Sequence, residues 1–431
     1  MKEIERLYDA YVASHRVTTD SRAITPGCLF LAFKGATFDG NAFAPQALEQ
    51  GAALCVISDP QYKVDDRCIV VPDVLATLQE LAREHRSHIT FPVIGITGTN
   101  GKTTTKELVH AVLAKRYKTS ATAGNFNNHL GVPLTLLAIP TEAQIAIVEM
   151  GANHPGEIEQ LCGIADPDCG LITNVGRAHL EGFGSFEGVV KTKTELYRHL
   201  GAKNGLVFVN ADNERLMEEA RGMQTRTYGR SESADVRGTY VGSEPYLHFY
   251  FEVGDNVYNV RTHLLGAYNF DNCMAAVAVG LRFGVEPFDI KEAIEEYQPA
   301  NQRSQWKETA SNKLYLDCYN ANPSSMAAAI ASFAEMEGGT GKIAIIGAMR
   351  ELGEASVEEH RKLVQNLADC HLEHCLLIGH EFDGVALESN MTLVHSTEEA
   401  AEWLKERKLR GKTILVKGSN SNKLWTLEPL L

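Results

Sequence analysis

The sequence predicts an α/β protein with three domains, and two observations carry this prediction. The chain has 431 residues, whereas a single hydrophobic core stops growing at about 250–300 residues. Short apolar runs alternate with helical patterns along the chain, which is typical of parallel sheets covered by helices on both faces. We therefore expect an N-terminal domain over residues 1–90, a central domain over 91–300 and a C-terminal domain over 301–431.

The first region reads as a small α/β domain, because short apolar runs alternate with helical patterns up to the boundary at Phe91–Pro92. Its predicted strands lie at 28–33, 53–57 and 68–71, and its predicted helices at 45–51 and 73–88.

The central region predicts a parallel sheet with an appended antiparallel hairpin. A Gly-Asp turn between aromatic, alternating runs predicts the hairpin within 234–265. The other predicted strands lie at 93–97, 144–150, 169–175 and 204–210, and predicted helices at 102–116 and 271–283.

The C-terminal region repeats the strand–helix alternation and predicts a Rossmann-like, doubly wound sheet. Ser396 and Glu399 have the spacing of a capping box that would open the last helix. The predicted strands lie at 313–319, 342–348, 374–379, 392–396 and 413–418, and the predicted helices at 325–336, 357–370 and 397–408.

Composition limits the function classes. The net charge of −14 argues against binding to nucleic acid, which needs a basic surface, but small anions remain possible ligands. No apolar stretch approaches the ~18 residues of a membrane span, and the N-terminus lacks an apolar signal core. The nine cysteines form no C-x-x-C pair. We expect a cytoplasmic monomer with reduced thiols, neither exported nor inserted in a membrane.

The strongest local pattern lies between the predicted strand at 93–97 and the following helix. In the run Gly98-Thr99-Asn100-Gly101-Lys102-Thr103-Thr104, glycines let backbone N–H groups point at one phosphate, and the helix N-terminus adds positive charge. Lys102 would bridge the outer phosphates and Thr103 would ligate magnesium. A strict phosphate-loop pattern requires glycine where Ile96 stands. The alternative is a Gly-rich turn without a ligand.

Two further side chains follow strands of the same sheet. Glu149 ends the strand at 144–150, and His179 follows the strand at 169–175. Ligands of open α/β sheets bind outside the carboxyl ends of strands, so both residues can converge on the phosphate loop as metal ligands. Taken singly, the alternatives are a surface carboxylate and a structural histidine.

Long segments of the chain resemble the Mur ligases of peptidoglycan synthesis. They are TDSRAITPGCLFLAFKGATFDGNAFAPQALEQGA (19–52), GITGTNGKTTTKE (95–107), ATAGNFNNHLGVPLTLL (121–137), VEMGANHPGEI (148–158), TNVGRAHLEGFGSFEGVVKTKTELY (173–197), GAYNFDNCMAA (266–276) and DCYNANPSSMAAAI (317–330). The resemblance implies an N-terminal UDP-sugar domain, a central ATPase domain and a C-terminal Rossmann-like domain.

Within that family, the chain resembles the ligases that join D-alanyl-D-alanine to UDP-N-acetylmuramoyl-tripeptide. The resemblance implies that ATP phosphorylates the terminal carboxylate of the tripeptide, and that the dipeptide amine then displaces phosphate from the acyl phosphate. Such a reaction needs two Mg²⁺ ions and Lys102 to offset the repulsion between two anions, and no nucleophile from the enzyme.

The resemblance also implies roles for single residues. Lys193 would carry a carbamate that binds the second magnesium together with the ligands Thr103, Glu149 and His179, although Lys191 is an adjacent competitor. Asn272 would bind adenine, with a helix N-cap as its alternative role. Arg303 would reach the γ-phosphate and Asp317 the ribose.

Substrate contacts are implied at three places. The resemblance assigns them to Ser21, Arg22, Lys34, Asp39 and Gly40 for the UDP-sugar, to Asn125, Asn127 and Asn128 for the peptide, and to Tyr319, Asn320 and Asn322 in the C-terminal domain. Ala348 and Asn420 depart from the residues usual in the family and put the details of the dipeptide pocket in doubt.

Three alternatives stay open. The chain could be the ligase that adds the third residue, but it lacks the D-N-P-R-like motif of that enzyme. It could be a folylpolyglutamate-type ligase, which lacks the N-terminal block at 19–52. It could be a non-catalytic nucleotide-binding regulator, against which the complete set of expected metal ligands argues.

Overall fold

A computed structural model describes residues 3–299, 304–336 and 341–431 of the protein. Its strands form three sheets that follow one another along the chain, with four, nine and six strands. The predicted α/β class with three sheets is confirmed.

The N-terminal sheet has four parallel strands in chain order. Its last helix, α3, does more than cover this sheet. Leu78 and Leu81 of α3 lie in one buried cluster with Val132, Leu136 and Leu161 of the central domain, so this helix joins the first two domains. The elements are α1 (Glu3–Ser14), β1 (Val17–Thr18), β2 (Leu29–Leu31), α2 (Ala44–Glu49), β3 (Leu54–Ile57), β4 (Cys68–Val70) and α3 (Val74–His88).

The central sheet has nine strands in the order β13-β12-β11-β10-β9-β8-β5-β7-β6. Strands β5 to β10 are parallel, and β10 also pairs in parallel with β11. The elements are β5 (Val93–Thr97), α4 (Lys102–Ala114), β6 (Thr119–Ala121), α5 (Gly131–Leu137), β7 (Ile145–Glu149), α6 (Glu157–Ala165), β8 (Cys169–Ile172), α7 (Leu180–Phe183), α8 (Phe186–Lys193), α9 (Glu195–Ala202), β9 (Leu206–Asn210), α10 (Glu214–Glu219), β10 (Gln224–Gly229), β11 (Val236–Ser243), β12 (Tyr246–Val253), β13 (Asn256–Leu265), α11 (Asn269–Arg282) and α12 (Pro287–Glu296).

The predicted antiparallel hairpin is confirmed as β12 and β13, which pair up to Val253 and Asn256 around the Gly254–Asp255 turn. Strand β11 adds a third antiparallel strand to it. Strand β5 is buried along its whole length because helices cover both faces of the sheet. Ile94 and Ile96 pack with α4 and α11, whereas Val93 faces the cluster that includes α6 and α9.

The C-terminal sheet has the order β14-β15-β19-β16-β17-β18. Helices cover both of its faces, as predicted for a doubly wound sheet, with α13 and α14 in one buried cluster and α15 in the other. The elements are β14 (Gln305–Glu308), β15 (Lys313–Asp317), α13 (Pro323–Glu335), β16 (Lys342–Gly347), α14 (Ser356–Asp369), β17 (His374–Ile378), β18 (Met391–Val394), α15 (Thr397–Arg407) and β19 (Thr413–Lys417).

Two local features of this domain differ from the prediction. The edge strand β14 is antiparallel to β15 and was not predicted. The capping box at α15 is only half formed: Ser396 Oγ accepts a hydrogen bond from Glu399 N at 3.1 Å, but the Glu399 carboxylate accepts from His395 N at 2.8 Å instead of from Ser396 N.

The described residues contain no helix that is both long and apolar enough to span a membrane. All nine cysteines are free, and eight of them are buried.

Candidate active site

A cavity of 610 Å³ lies between the central and C-terminal domains, where the carboxyl ends of β5, β7 and β15 meet. It brings together most of the predicted site residues of these two domains. Its lining includes Thr99, Asn100, Gly101, Lys102, Thr103, Thr104, Asn125, Asn127, Asn128, Glu149, His179, Asn272, Asp317, Tyr319 and Asn320.

The phosphate loop has a backbone that requires glycine at two positions. Gly98 has φ of +144° and Gly101 has φ of +77°, backbone angles that residues with a side chain rarely adopt. A Cβ at Gly98 would collide with the Thr173 hydroxyl, and one at Gly101 would lie 2.6 Å from Asn272 Oδ1. Gly101 is also the N-cap of α4, so the loop leads directly into a helix N-terminus that attracts anions.

The end of β8 holds this loop in place. Asn174 accepts a hydrogen bond from Asn100 N at 3.0 Å and donates one to Asn100 O at 3.0 Å, and Thr173 Oγ1 donates to the same carbonyl at 2.6 Å. The Lys102 ammonium donates to the carbonyls of Gly98 and Thr99 at 2.8 and 3.0 Å. Thr173 and Asn174 were missed as site residues, although their place after β8 was a usable signal.

Glu149 has the features of a metal ligand. Its side chain is 1% exposed, and Oε1 accepts hydrogen bonds from Thr103 Oγ1 at 3.2 Å and Asn127 Nδ2 at 2.8 Å. Oε2 is buried and has no hydrogen-bond partner among the described residues. A buried carboxylate oxygen without a partner is costly, and Mg²⁺ prefers oxygen ligands. The Glu149–Thr103 pair therefore fits a magnesium ion beside the phosphate loop.

His179 lines the same cavity on the loop after β8, with a left-handed backbone at φ +49°. Its Nδ1 hydrogen-bonds with the carboxylate of Glu351, which belongs to the C-terminal domain. Burial lowers the pKa of His179, although the nearby Glu351 carboxylate opposes this shift. A neutral imidazole is the form that ligates metals.

Lys193 and Lys191 have opposite environments at the end of α8. Lys193 is 2% exposed, and its ammonium donates to Ala152 O at 3.1 Å and lies 5.2 Å from the centre of the Phe183 ring. Burial, followed by the charge of Lys102, lowers the pKa of Lys193 well below its usual value. Lys191 is exposed. A buried amine with a lowered pKa is more often unprotonated and nucleophilic.

Asn272 lies inside α11 and not at its end, so the alternative role as a helix N-cap is wrong. The helix begins at Asn269, and Tyr268 is its N-cap. Asn272 Oδ1 accepts from Thr105 Oγ1 at 3.0 Å and Nδ2 donates to Asn269 Oδ1 at 2.8 Å. These bonds fix the amide beneath the phosphate loop.

Asp317 pairs with Lys417, a lining residue that sequence reasoning missed. The two residues are register partners on β15 and β19, and the Lys417 ammonium, 1% exposed as a side chain, lies 2.5 Å from Asp317 Oδ2. Lys417 also ends a strand, so the sheet-edge rule that selected Glu149 could have found it. Arg303, the predicted γ-phosphate contact, lies outside the described residues.

The three asparagines after β6 have different partners. Asn127 donates to Glu149, as described above. Asn128 Oδ1 accepts from Leu130 N and Gly131 N at 3.1 and 2.8 Å and so stabilises the start of α5. Asn125 is exposed at the cavity.

A second pocket of 240 Å³ lies next to the cavity, on the C-terminal side. Arg350 lines it and pairs with the Glu381 carboxylate. Ala348, one of the residues that depart from the family pattern, is fully buried and does not line the pocket, whereas Asn420 does. The lining consists of His179, Tyr319, Asn320, Ala321, Asn322, Arg350, Glu351, Ser419, Asn420 and Ser421.

Polar contacts cross between the two domains at the rim of these pockets. Asn322 Nδ2 donates to Asn100 Oδ1 at 2.8 Å. Arg177 pairs with the buried Glu359 at 2.8 Å, and its backbone N–H donates to Ser324 Oγ at 2.8 Å. The C-terminal domain therefore touches the phosphate loop in this structure.

The predicted UDP-sugar residues are not brought into either pocket. Arg22 is 88% exposed as a side chain and pairs with Asp20 at 2.7 Å, and Lys34 pairs with Asp39 at 3.5 Å. Gly40 packs so closely on the Phe33 backbone that a side chain there would collide. Ser21 begins a short 3-10 turn capped by Asp20.

Comparisons with known proteins cover all three domains. Residues 13–86 match the family model "Mur ligase family, catalytic domain", residues 96–280 the "Mur ligase middle domain" and residues 302–420 the "Mur ligase, glutamate ligase domain".

Individual relatives match over nearly the whole chain. The chain is 35% identical to the UDP-N-acetylmuramoyl-tripeptide–D-alanyl-D-alanine ligase of Bacillus subtilis, over 95% of this chain and 91% of that one. Its structure is similar to MurF from Acinetobacter baumannii, with 32% identity, a TM-score of 0.87 and coverage of 96% and 92%. It is also similar to MurF ligase from Thermotoga maritima in complex with ADP, with 29% identity, a TM-score of 0.86 and coverage of 100% and 98%. With three matched domains and a relative of this similarity along its length, the chain belongs to the Mur ligase family.

Proposed function

We propose that the protein is the ATP-dependent ligase that joins D-alanyl-D-alanine to UDP-N-acetylmuramoyl-tripeptide in the cytoplasmic synthesis of peptidoglycan precursors. The observation that carries this proposal is the pair of adjacent pockets: one holds the phosphate loop and Glu149, and the other opens beside His179 on the C-terminal side. The name of the Bacillus subtilis relative supports the same reaction.

The first step activates a carboxylate, which is a poor electrophile because its charge repels an amine. ATP transfers its γ-phosphoryl group to the terminal carboxylate of the tripeptide, giving an acyl phosphate and ADP. The loop N–H groups and Lys102 hold the outer phosphates, so catalysis depends on alignment and charge neutralisation. Magnesium would be held by Thr103, Glu149 and His179, and would supply charge neutralisation between the two anions.

The second step adds the dipeptide. Its amine attacks the acyl carbon, a tetrahedral intermediate forms, and inorganic phosphate leaves as the amide forms. We assign the dipeptide to the second pocket. Among the described residues that line it, Arg350 alone carries a permanent positive charge, and a guanidinium suits the free carboxylate at the end of D-alanyl-D-alanine. Tyr319, Asn320 and Asn420 offer further polar groups.

We propose that Lys193 carries the carbamate and completes the metal site, in preference to Lys191. An unprotonated Lys193 amine would add to CO₂ and release one proton, leaving a carboxylate-like oxygen ligand. The burial of Lys193 and its lowered pKa support this choice. Labelled bicarbonate should give a carbamate NMR signal in the wild type and in Lys191→Ala, and no signal in Lys193→Ala. A signal lost only in Lys191→Ala would reverse the assignment.

The N-terminal domain, residues 1–90, would hold the UDP-sugar through Ser21, Arg22, Lys34, Asp39 and Gly40. The central domain at 91–300 would bind ATP through the phosphate loop, Asn272 and Arg303, with Asp317 at the ribose. The domain at 301–431 would receive the dipeptide. We propose that the active form is a monomer.

The reaction is tested by following ATP-dependent phosphate release with UDP-N-acetylmuramoyl-tripeptide and different amines. We expect release with D-alanyl-D-alanine and none with free lysine or diaminopimelate. Release with UDP-N-acetylmuramoyl-dipeptide and either free amino acid, but not with D-alanyl-D-alanine, would identify the third-residue ligase instead.

A further inference from the structure

A cluster of two histidines and one aspartate lies at the carboxyl edge of the C-terminal sheet, apart from both pockets. His380 and Asp383 lie in the turn after β17, and His395 directly follows β18. Because β17 and β18 are parallel neighbours, their carboxyl ends place the three side chains together. His395 Nε2 lies 2.8 Å from Asp383 Oδ1, and His380 Nδ1 lies 3.3 Å from Asp383 Oδ2.

The two imidazole rings stack face to face, with ring centres 4.4 Å apart and planes 14° apart. One potential ligand atom from each residue lies within 4.8 Å of the other two. Tetrahedral bonds of about 2 Å to one ion require ligand atoms roughly 3.3 Å apart, so small side-chain rotations would suffice. The set has two nitrogens and one carboxylate, with room for water because all three residues are exposed.

We propose that His380, Asp383 and His395 form a binding site for a divalent transition-metal ion of the zinc class. Imidazole nitrogen with carboxylate is a common donor set for Zn²⁺, whereas Mg²⁺ takes oxygen ligands. The site is therefore chemically different from the oxygen-rich magnesium site at Glu149. It does not depend on the proposed reaction, since none of its three residues lines either pocket.

A further carboxylate beside the cluster favours a cation. The Glu399 carboxylate accepts a hydrogen bond from His395 N at 2.8 Å, whereas the charge of Glu381, next to His380, is offset by its pairing with Arg350. A bound ion would tie the turn at 380–383 to the end of β18. Since the unfolded chain does not bring these residues together, binding would stabilise the folded protein.

The test is a Zn²⁺ titration of the full-length protein, stripped with a chelator and held in excess Mg²⁺, followed by competition with a chromophoric zinc chelator. We expect one zinc ion per chain in the wild type. His380→Ala and His395→Ala should each weaken its binding at least about tenfold. His371→Asn, an exposed histidine of the same domain, is the matched control and should bind zinc as the wild type does.

Two further measurements keep the result interpretable. Circular dichroism without zinc should be the same for all variants, and zinc should raise the Tm of the wild type and His371→Asn but not of His395→Ala. Equal zinc affinity in the wild type, His380→Ala and His395→Ala would overturn the proposal. So would loss of binding in His179→Ala with the two C-terminal variants unaffected, because the ion would then belong to the central cavity.

Discussion

The cavity has two walls that are built in different ways: the central domain forms one, and the C-terminal domain forms the other. On the central wall, Glu149 and Lys193 are buried, and short bonds from neighbouring strand ends fix the phosphate loop. On the C-terminal wall, Arg350 is 55% exposed as a side chain, and the domain reaches the loop through a few polar contacts such as Asn322 with Asn100. The wall proposed for phosphate chemistry is therefore held by buried side chains and short bonds, whereas the proposed dipeptide contact on the other wall is a solvent-exposed side chain.

The largest effect is expected from Lys102→Ala on the central wall. Removing the loop lysine that we propose to contact the outer phosphates should lower kcat by about a thousandfold or more, because transition-state charge is then left unbalanced. Steady-state phosphate release measures the effect. Lys118→Ala, an exposed lysine beyond the same helix, is the control and should keep wild-type activity. If Lys102→Ala retained near-normal turnover, the phosphate-loop assignment would be wrong.

A second comparison, between Lys193 and Lys191, lies within the central wall. We expect Lys193→Ala to lower activity roughly 10–100-fold and to raise the magnesium concentration needed for half-maximal rate, since a metal ligand is lost. Lys191→Ala, two residues away but exposed, should change neither quantity. The reaction rate of each variant is measured over a range of magnesium concentrations. The same activity and the same half-maximal magnesium concentration in both variants would contradict a metal role for Lys193.

On the C-terminal wall, Arg350→Ala should act on binding and not on chemistry. Loss of a charged hydrogen bond of about 1.5–3 kcal/mol should raise KM for D-alanyl-D-alanine about 10–100-fold, with a much smaller change in kcat and in KM for ATP. Arg361→Ala, an exposed arginine on α14, is the control. An unchanged dipeptide KM would remove Arg350 from the proposed carboxylate site.

The difference between local sequence patterns and tertiary packing explains which site residues could be predicted from the sequence. Gly98 to Thr104 directly follow a buried strand and Glu149 ends another, so local pattern and the sheet-edge rule were enough to select them. The choice between Lys193 and Lys191 depends on which face of α8 packs against Phe183 and Ala152, and that packing is tertiary. Lys417 ends a strand, as Glu149 does, but its ion pair with Asp317, 100 residues away, depends on the pairing of β15 with β19 and could not be predicted.

Errors at element ends have similar causes. The predicted helix at 271–283 begins two residues later than α11, which starts at Asn269, so Asn272 lies too far inside the helix to be its N-cap. The edge strand β14 has only four residues and no hydrophobic run, so it gave no signal. The half-formed box at α15 arises because the Glu399 side chain bonds one residue further back, to His395 N.

The smallest expected effect tests how much one cross-domain contact contributes to stability. Asn322 caps α13 through Ser325 N at 2.9 Å and also donates to Asn100. Asn322→Ser keeps a capping oxygen but is too short to reach Asn100, whereas Asn322→Ala loses both bonds. We expect hydrogen exchange in the first turn of α13 to quicken in the alanine variant by the equivalent of about 1 kcal/mol and to stay near wild type in the serine variant. Equal acceleration in both variants would show that the bond to Asn100, and not the cap, stabilises this turn, and that the C-terminal wall is more firmly held than its few contacts indicate.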